Sequence, residues 1–140
     1  MTDIALLAKK AAAIETYLRE LRTSARPETL ETDVRELRFV QHTLQIAIQA
    51  ALDIASHVVS DDRLGEPRSN AELFDLLARA GWIGASLAAR LRQMAGFRNV
   101  LVHGYAEVDV RLVKDVLAHH LGDLDDFVAA VRARLQSTGA

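Results

Sequence analysis

Apolar residues recur along this chain at spacings of three and four, the period of helices that bury one face. Ile4, Leu7, Ala11, Ile14, Leu18 and Leu21 define a first helix, with Thr2 or Asp3 placed to cap it. It should end near Ser24, because Pro27 disfavours helical conformation in the residue before it. Pro27 suits the first turn of a second helix, with Glu28 and Glu31 near its positive end. Leu30, Val34, Leu37, Val40, Leu44, Ile48, Ala51, Ala55 and Val58 then hold one apolar stripe for about thirty residues.

The turn formers of residues 60–70 (SDDRLGEPRSN) mark the one long loop. Asn70 is placed to cap a third helix over Ala71 to Ala80. Gly81 and Gly84 surround Trp82, which predicts a short turn before a helix over Ser86 to Met94, and Gly96 predicts an interruption just before Arg98. Asp109 looks like the cap of a helix from Val110 to His119. Gly122 loosens the chain, and Leu124, Phe127, Val128, Val131 and Leu135 form a last amphipathic helix with a frayed tail over Gln136 to Ala140. No segment alternates with period two for long enough to predict a strand. Two long antiparallel helices followed by shorter ones give an all-α, up-down helical bundle in a single domain over residues 1–140.

Composition narrows the chemistry. There is no cysteine among the 140 residues, which excludes a disulfide scaffold, a cysteine nucleophile and a thiolate metal site. No apolar run reaches the roughly 18–20 residues of a membrane span, and MTDIALLAKK does not read as a signal peptide, so the expected compartment is the cytoplasm. The net charge of −2 argues against a generally basic nucleic-acid coat. The charge is uneven, however. Residues 1–75 carry nine basic and thirteen acidic side chains, and residues 107–140 carry four and six. Between them, Leu76 to Ala106 contain Arg79, Arg90, Arg92 and Arg98 and no carboxylate. Such a segment is a local anion site if those arginines share a surface; otherwise they solvate helix faces.

The densest chemistry lies in Phe97-Arg98-Asn99-Val100-Leu101-Val102-His103-Gly104-Tyr105. On a continuous helix Asn99 and His103 share a face, as do Arg98 and Tyr105, whereas Arg98 and His103 lie roughly 140° apart. Those two converge on one ligand only if the arginine bends round, the helix distorts, or a second chain completes the site. Gly104 is placed to end the helix and leave Tyr105 able to fold back. Asn99 orients His103 or holds a phosphate oxygen, or else caps a helix start. Asp53 and His57 are four apart among alanines and isoleucine; a carboxylate in that setting needs a partner, either Arg98 across the bundle or His57. Two ligands are too few for a metal. His42, His119 and His120 read as surface or structural residues.

The string RNVLVHGY resembles the R-x4-H-x-Y form of the HEPN superfamily signature found in HepT-like toxins. The segments Ile46–Ser60, Leu77–Asp109 and His119–Leu135 are similar to that family in order and spacing, over some four-fifths of the chain. The resemblance implies an endoribonuclease that needs no metal or other cofactor, acts as a homodimer on an RNA substrate (mRNA or tRNA), and is paired with a small nucleotidyltransferase antitoxin. It implies catalytic roles for Arg98 and His103, supporting roles for Asn99 and Asp53, and covalent modification of Tyr105 with AMP by the partner. The chemistry suits the residues. Attack of the RNA 2′-hydroxyl on the adjacent phosphorus needs a base, an acid and a cation. Histidine titrates near neutrality, and a guanidinium fork matches a phosphate in transition. The superfamily also contains non-catalytic members. The alternative is therefore a module that presents nucleotides or a substrate to a nucleotidyltransferase.

Overall fold

The computed structural model describes residues 3–103 and 109–139. Six helices fill these residues, with no strand among them: α1 (Ile4–Ser24), α2 (Val34–Asp61), α3 (Asn70–Arg79), α4 (Ala85–His103), α5 (Val110–His119) and α6 (Leu121–Gly139). None of the described helices is long and apolar enough to cross a membrane.

Asp3 caps α1 by accepting from the Leu6 amide, and the helix stops at Ser24, three residues ahead of Pro27. The second long helix begins later than the apolar stripe suggests. Pro27–Thr29 form a single 3-10 turn, and α2 starts only at Val34. Asp33 causes the delay: its carboxylate accepts from the Arg35 and Glu36 amides, an N-cap that Pro27 cannot supply for a continuous helix. Leu30 is nonetheless buried, so it joins the core from the link between the helices. Helix α3 is capped by Ser69, whose hydroxyl accepts from the Glu72 amide, and Asn70 is its first residue.

Two further breaks expected from glycine do not occur. Helix α4 runs through Gly96, which is solvent-exposed and has nothing within 4 Å of where a Cβ would stand. The glycine penalty of about 1 kcal/mol is outweighed by burial of Leu91, Met94, Ala95 and Phe97 around it. Helix α6 starts at Leu121, includes Gly122 in its first turn, and remains helical to Gly139 instead of fraying from Gln136. Burial of Leu135 holds that last part against the bundle.

Helix α1 packs along α2 and α6, α2 along α3 and α4, and α4 also meets α6. Ion pairs fix the registers. Glu15 meets Arg132, Arg22 meets Asp125, and Lys10 Nζ lies 3.5 Å from Asp53 Oδ2. Phe74 of α3 and Phe127 of α6 meet edge to face in the core, with ring centroids 5.7 Å apart. The short α5 is tied to the α1–α2 link by Lys114 Nζ and Glu31 Oε1, 2.7 Å apart.

The ends of α2 and α3 share one geometry. In α3 the Gly81 amide donates to Ala78 O and the Trp82 amide to Leu77 O, with Gly81 at φ +81°. In α2 the Arg63 amide donates to Ser60 O and the Leu64 amide to Val59 O. Both are Schellman caps, which place one residue in the left-handed region. At α2 that residue is Arg63, at φ +53°, the one non-glycine residue with positive φ among those described.

Candidate functional site

Helix α4 carries the site. Its first half is anchored in the bundle, and its last two turns present Arg98, Asn99 and His103. Because α4 passes Gly96 unbroken, Asn99 is a helix-interior residue and not a cap. Asn99 and His103 are exposed, and Arg98 is half-buried. Arg98 Nη1 donates to Asn99 Oδ1 at 3.4 Å, while Arg98 Nε is buried and has no hydrogen-bond partner among the described residues. No carboxylate pairs with this guanidinium among the described residues. Tyr105 and Gly104 lie outside the described residues.

The other arginines of the carboxylate-free segment divide. Arg90 Nη1 donates to Asp123 Oδ1 at 2.7 Å and Asp126 Oδ2 at 3.0 Å. Those two hydrogen bonds, Asp123 first, raise the Arg90 pKa further above its ordinary value. Arg92 Nη1 lies 3.5 Å from Asp75 Oδ2. Arg79 is exposed and makes no ion pair among the described residues. The segment is therefore less basic in space than in sequence, because α3 and α6 supply carboxylates to its middle. Arg98, at its end, is left with a cation that only an amide oxygen touches among the described residues.

Asp53 goes elsewhere. It accepts from Gln49 Nε2 at 2.9 Å through Oδ1 and from Lys10 Nζ at 3.5 Å through Oδ2. Neither expected partner, Arg98 or His57, bonds to it. Lys10 is 43 residues distant and carries no local signal. Gln49, four residues before Asp53 on one helix face, is a partner that the sequence reading missed and that spacing alone would reveal. Gln49 Oε1 is itself buried without a partner among the described residues. Those residues hold no group of three or more His, Asp or Glu side chains able to bind a metal ion.

His120 stands at the joint between α5 and α6. Its Nε2 lies 3.1 Å from Asp115 Oδ2 and its Nδ1 3.5 Å from Asp123 Oδ2, so it joins the end of α5 to the start of α6. Asp123 is only 6% exposed and is held by both Arg90 and His120. A cavity of about 150 Å³ lies beside this cluster, between α4 and α5, with Phe97 in its wall.

Comparison with known proteins agrees with this architecture. The sequence pattern of the family described as "Ribonuclease HepT-like" matches residues 14–131. The chain is 38% identical over 90 residues to the mRNA nuclease HepT of Shewanella oneidensis, covering 64% of this chain and 68% of that protein. It is 30% identical over 95 residues to the tRNA nuclease HepT of Aphanizomenon flos-aquae, covering 68% of this chain and 65% of that one. Among solved structures, the tri-AMPylated Shewanella oneidensis HEPN toxin in complex with MNT antitoxin superposes with a TM-score of 0.83 at 31% identity, over 95% of this chain and 99% of that one. A sequence match across most of the chain and a structural match across nearly all of it lead to one conclusion: this chain belongs to the Ribonuclease HepT-like family of HEPN proteins.

Proposed function

We propose that this chain is the endoribonuclease toxin of a toxin–antitoxin pair, cutting RNA without a metal ion and silenced by AMPylation of Tyr105. The observation that carries the reading is the trio of half-buried Arg98 and exposed Asn99 and His103 at the end of α4, with the Arg98 cation unmatched by any carboxylate among the described residues. An unmatched guanidinium and an exposed imidazole on the last two turns of one helix suit a phosphodiester. The nuclease names of the two HepT relatives, and the toxin–antitoxin complex that the fold resembles, support the same reading.

In this mechanism one His103 takes the proton from the RNA 2′-hydroxyl. The 2′-oxygen bonds to phosphorus, the bond to the 5′-oxygen breaks, and a protonated second His103 delivers a proton to that oxygen. The products are a 2′,3′-cyclic phosphate and a 5′-hydroxyl. Arg98 offsets the charge that builds on the non-bridging oxygens. Each chain supplies one motif histidine, so a two-fold homodimer with the motifs facing one cleft supplies both acid and base. Asn99, already bonded to Arg98, holds the guanidinium or a phosphate oxygen. Asp53, engaged with Lys10 and Gln49, supports the site through α2 and not by touching RNA.

The test is RNA cleavage and growth inhibition by Arg98→Ala and His103→Ala proteins, with and without EDTA. Both variants should keep their helical content and lose cleavage, and EDTA should leave the wild type unaffected. Cleavage that survives both substitutions, or that stops on chelation, overturns the proposed mechanism.

A further inference from the structure

The cavity beside the motif has the size and chemistry of a base-recognition pocket. We propose that it receives a cytosine base of the RNA next to the cleaved phosphate, with Asp115 and Gln93 reading the base edge; this rests on the ribonuclease reading above.

The cavity's about 150 Å³ matches the space in which an apolar cavity takes a single benzene-sized ring. Met94, Phe97 and Val116 form a buried apolar floor, and Leu112, 38% exposed, stands at its mouth. Phe97 directly precedes Arg98, so a base seated here stays within one helical turn of the cation proposed to hold the phosphate.

The polar groups around the cavity are of two kinds. Arg90 and Asp123 satisfy each other on the inner wall. Gln93 and Asp115 retain unused capacity. Gln93 is exposed and its amide makes no hydrogen bond among the described residues. Asp115 gives only Oδ2 to His120, leaving Oδ1 without a bond among those residues. A carboxylate oxygen and a carboxamide N–H lining one cavity are complementary to a base edge that carries an amine next to acceptors. Cytosine has that edge: its N4 amine donates to a carboxylate, the pairing by which acidic side chains read this base, and its N3 and O2 accept from an amide. In the same seat uracil would turn its O4 carbonyl towards the Asp115 carboxylate, and it would have to shift by one edge atom to offer N3–H instead. A purine exceeds the single-ring space. An aromatic side chain from a protein would fill the floor but leave both rim groups unmatched.

The test uses the wild-type protein with short 2′-O-methyl oligonucleotides, which cannot supply the attacking hydroxyl, differing by cytosine or uracil at single positions. Sequencing of the cut ends of natural RNA runs in parallel. Wild type should bind the cytosine form about tenfold more tightly, the discrimination expected of one good edge contact, and its cut sites should be enriched in cytosine at one position beside the break. Asp115→Asn, whose carboxamide can donate to uracil O4, should lose that preference. Leu112→Trp, which plugs the mouth from an exposed position, should lose it as well, with an unchanged melting temperature. RNA bound and cut without regard to cytosine, or a preference that survives both variants, overturns the pocket and leaves the nuclease reading standing. Absence of both RNA binding and cleavage overturns the two together.

Discussion

Arg90 and Arg98 stand eight residues apart on one helix and are held in opposite ways: Arg90 bridges two carboxylates of α6, whereas Arg98 touches only the amide oxygen of Asn99 among the described residues. Their substitutions should separate accordingly. Arg90→Ala leaves Asp123, buried to 6% exposure, with His120 alone. Removing one partner of a buried pair costs up to roughly 3–5 kcal/mol, and the half-exposed arginine reduces this to about 2. Arg98→Ala should change stability by less than about 0.5 kcal/mol and remove activity. Urea unfolding and cleavage assays on both proteins decide the matter; an Arg98 variant that unfolds like the Arg90 variant would make Arg98 a structural residue.

Tyr105 should be the acceptor of AMP. An adenylyl group brings a phosphodiester charge and a base able to stack, and beside Arg98 it would occupy the place of an RNA phosphate. Intact-protein mass after incubation with the nucleotidyltransferase partner, ATP and magnesium should show added AMP on wild type and none on Tyr105→Phe, which keeps its nuclease activity. Equal modification of the two proteins rules out this residue.

The paired Schellman caps make a stability prediction of opposite signs. Arg63 occupies the left-handed position that Gly81 occupies in the neighbouring helix. Arg63→Gly should raise stability by about 0.5–1 kcal/mol, and Gly81→Ala should lower it by about 1. Thermal melts of the two variants measure this, and a destabilised Arg63→Gly protein would show that the arginine side chain itself contributes there.

Acid should weaken the fold partly through α5. Lys114 holds the Glu31 carboxyl below its usual range through a hydrogen bond, and Arg111 does the same for Asp109, the cap of α5. Both groups have a lower pKa folded than unfolded. Their contribution is therefore present above the ordinary carboxylate pKa of about 4 and is lost as pH falls through the lower folded values. Both are solvent-exposed, so the effect is small and sensitive to salt. Melting temperature followed from neutral to about pH 3 should fall less steeply in Glu31→Gln than in wild type. Identical slopes would exclude the Glu31–Lys114 pair as a contributor.

The parts of the fold that were legible in sequence are those set by neighbours along the chain. Ser24 ends α1 because Pro27 is close, and Asp109 caps α5 by accepting from the Arg111 amide two residues on. Local signals failed where two of them competed. Pro27 and Asp33 both suit a helix start, and the aspartate, with two amides to accept from, prevails. Ser69 and Asn70 are both good caps, but only Ser69 has a glutamate three residues on, and Glu72 Oε2 accepts from the Arg68 amide in return. Gly96 reads as a break because its propensity is visible and the burial around it is not. The motif residues were legible as a string. The partners that divide the four arginines were not, because Asp123 and Asp126 reach Arg90 from 33 and 36 residues away. The cavity over Phe97 requires α5 to be in place and has no sequence signature of its own.

The unbroken passage of α4 through Gly96 bears on how such a protein can be controlled. Arg98 and His103 ride on the last two turns of a rod whose first half is bolted to α3 and α6 by Arg92–Asp75 and Arg90–Asp123. Neither side chain waits on a further folding step within α4; on the proposed reading, the pairing of two chains is the step that completes the chemistry. On that reading, an unbroken α4 is not itself the switch. Restraint would then come from outside α4, as a lid laid over the helix end, a group attached beside it, or anything that keeps two such helix ends apart.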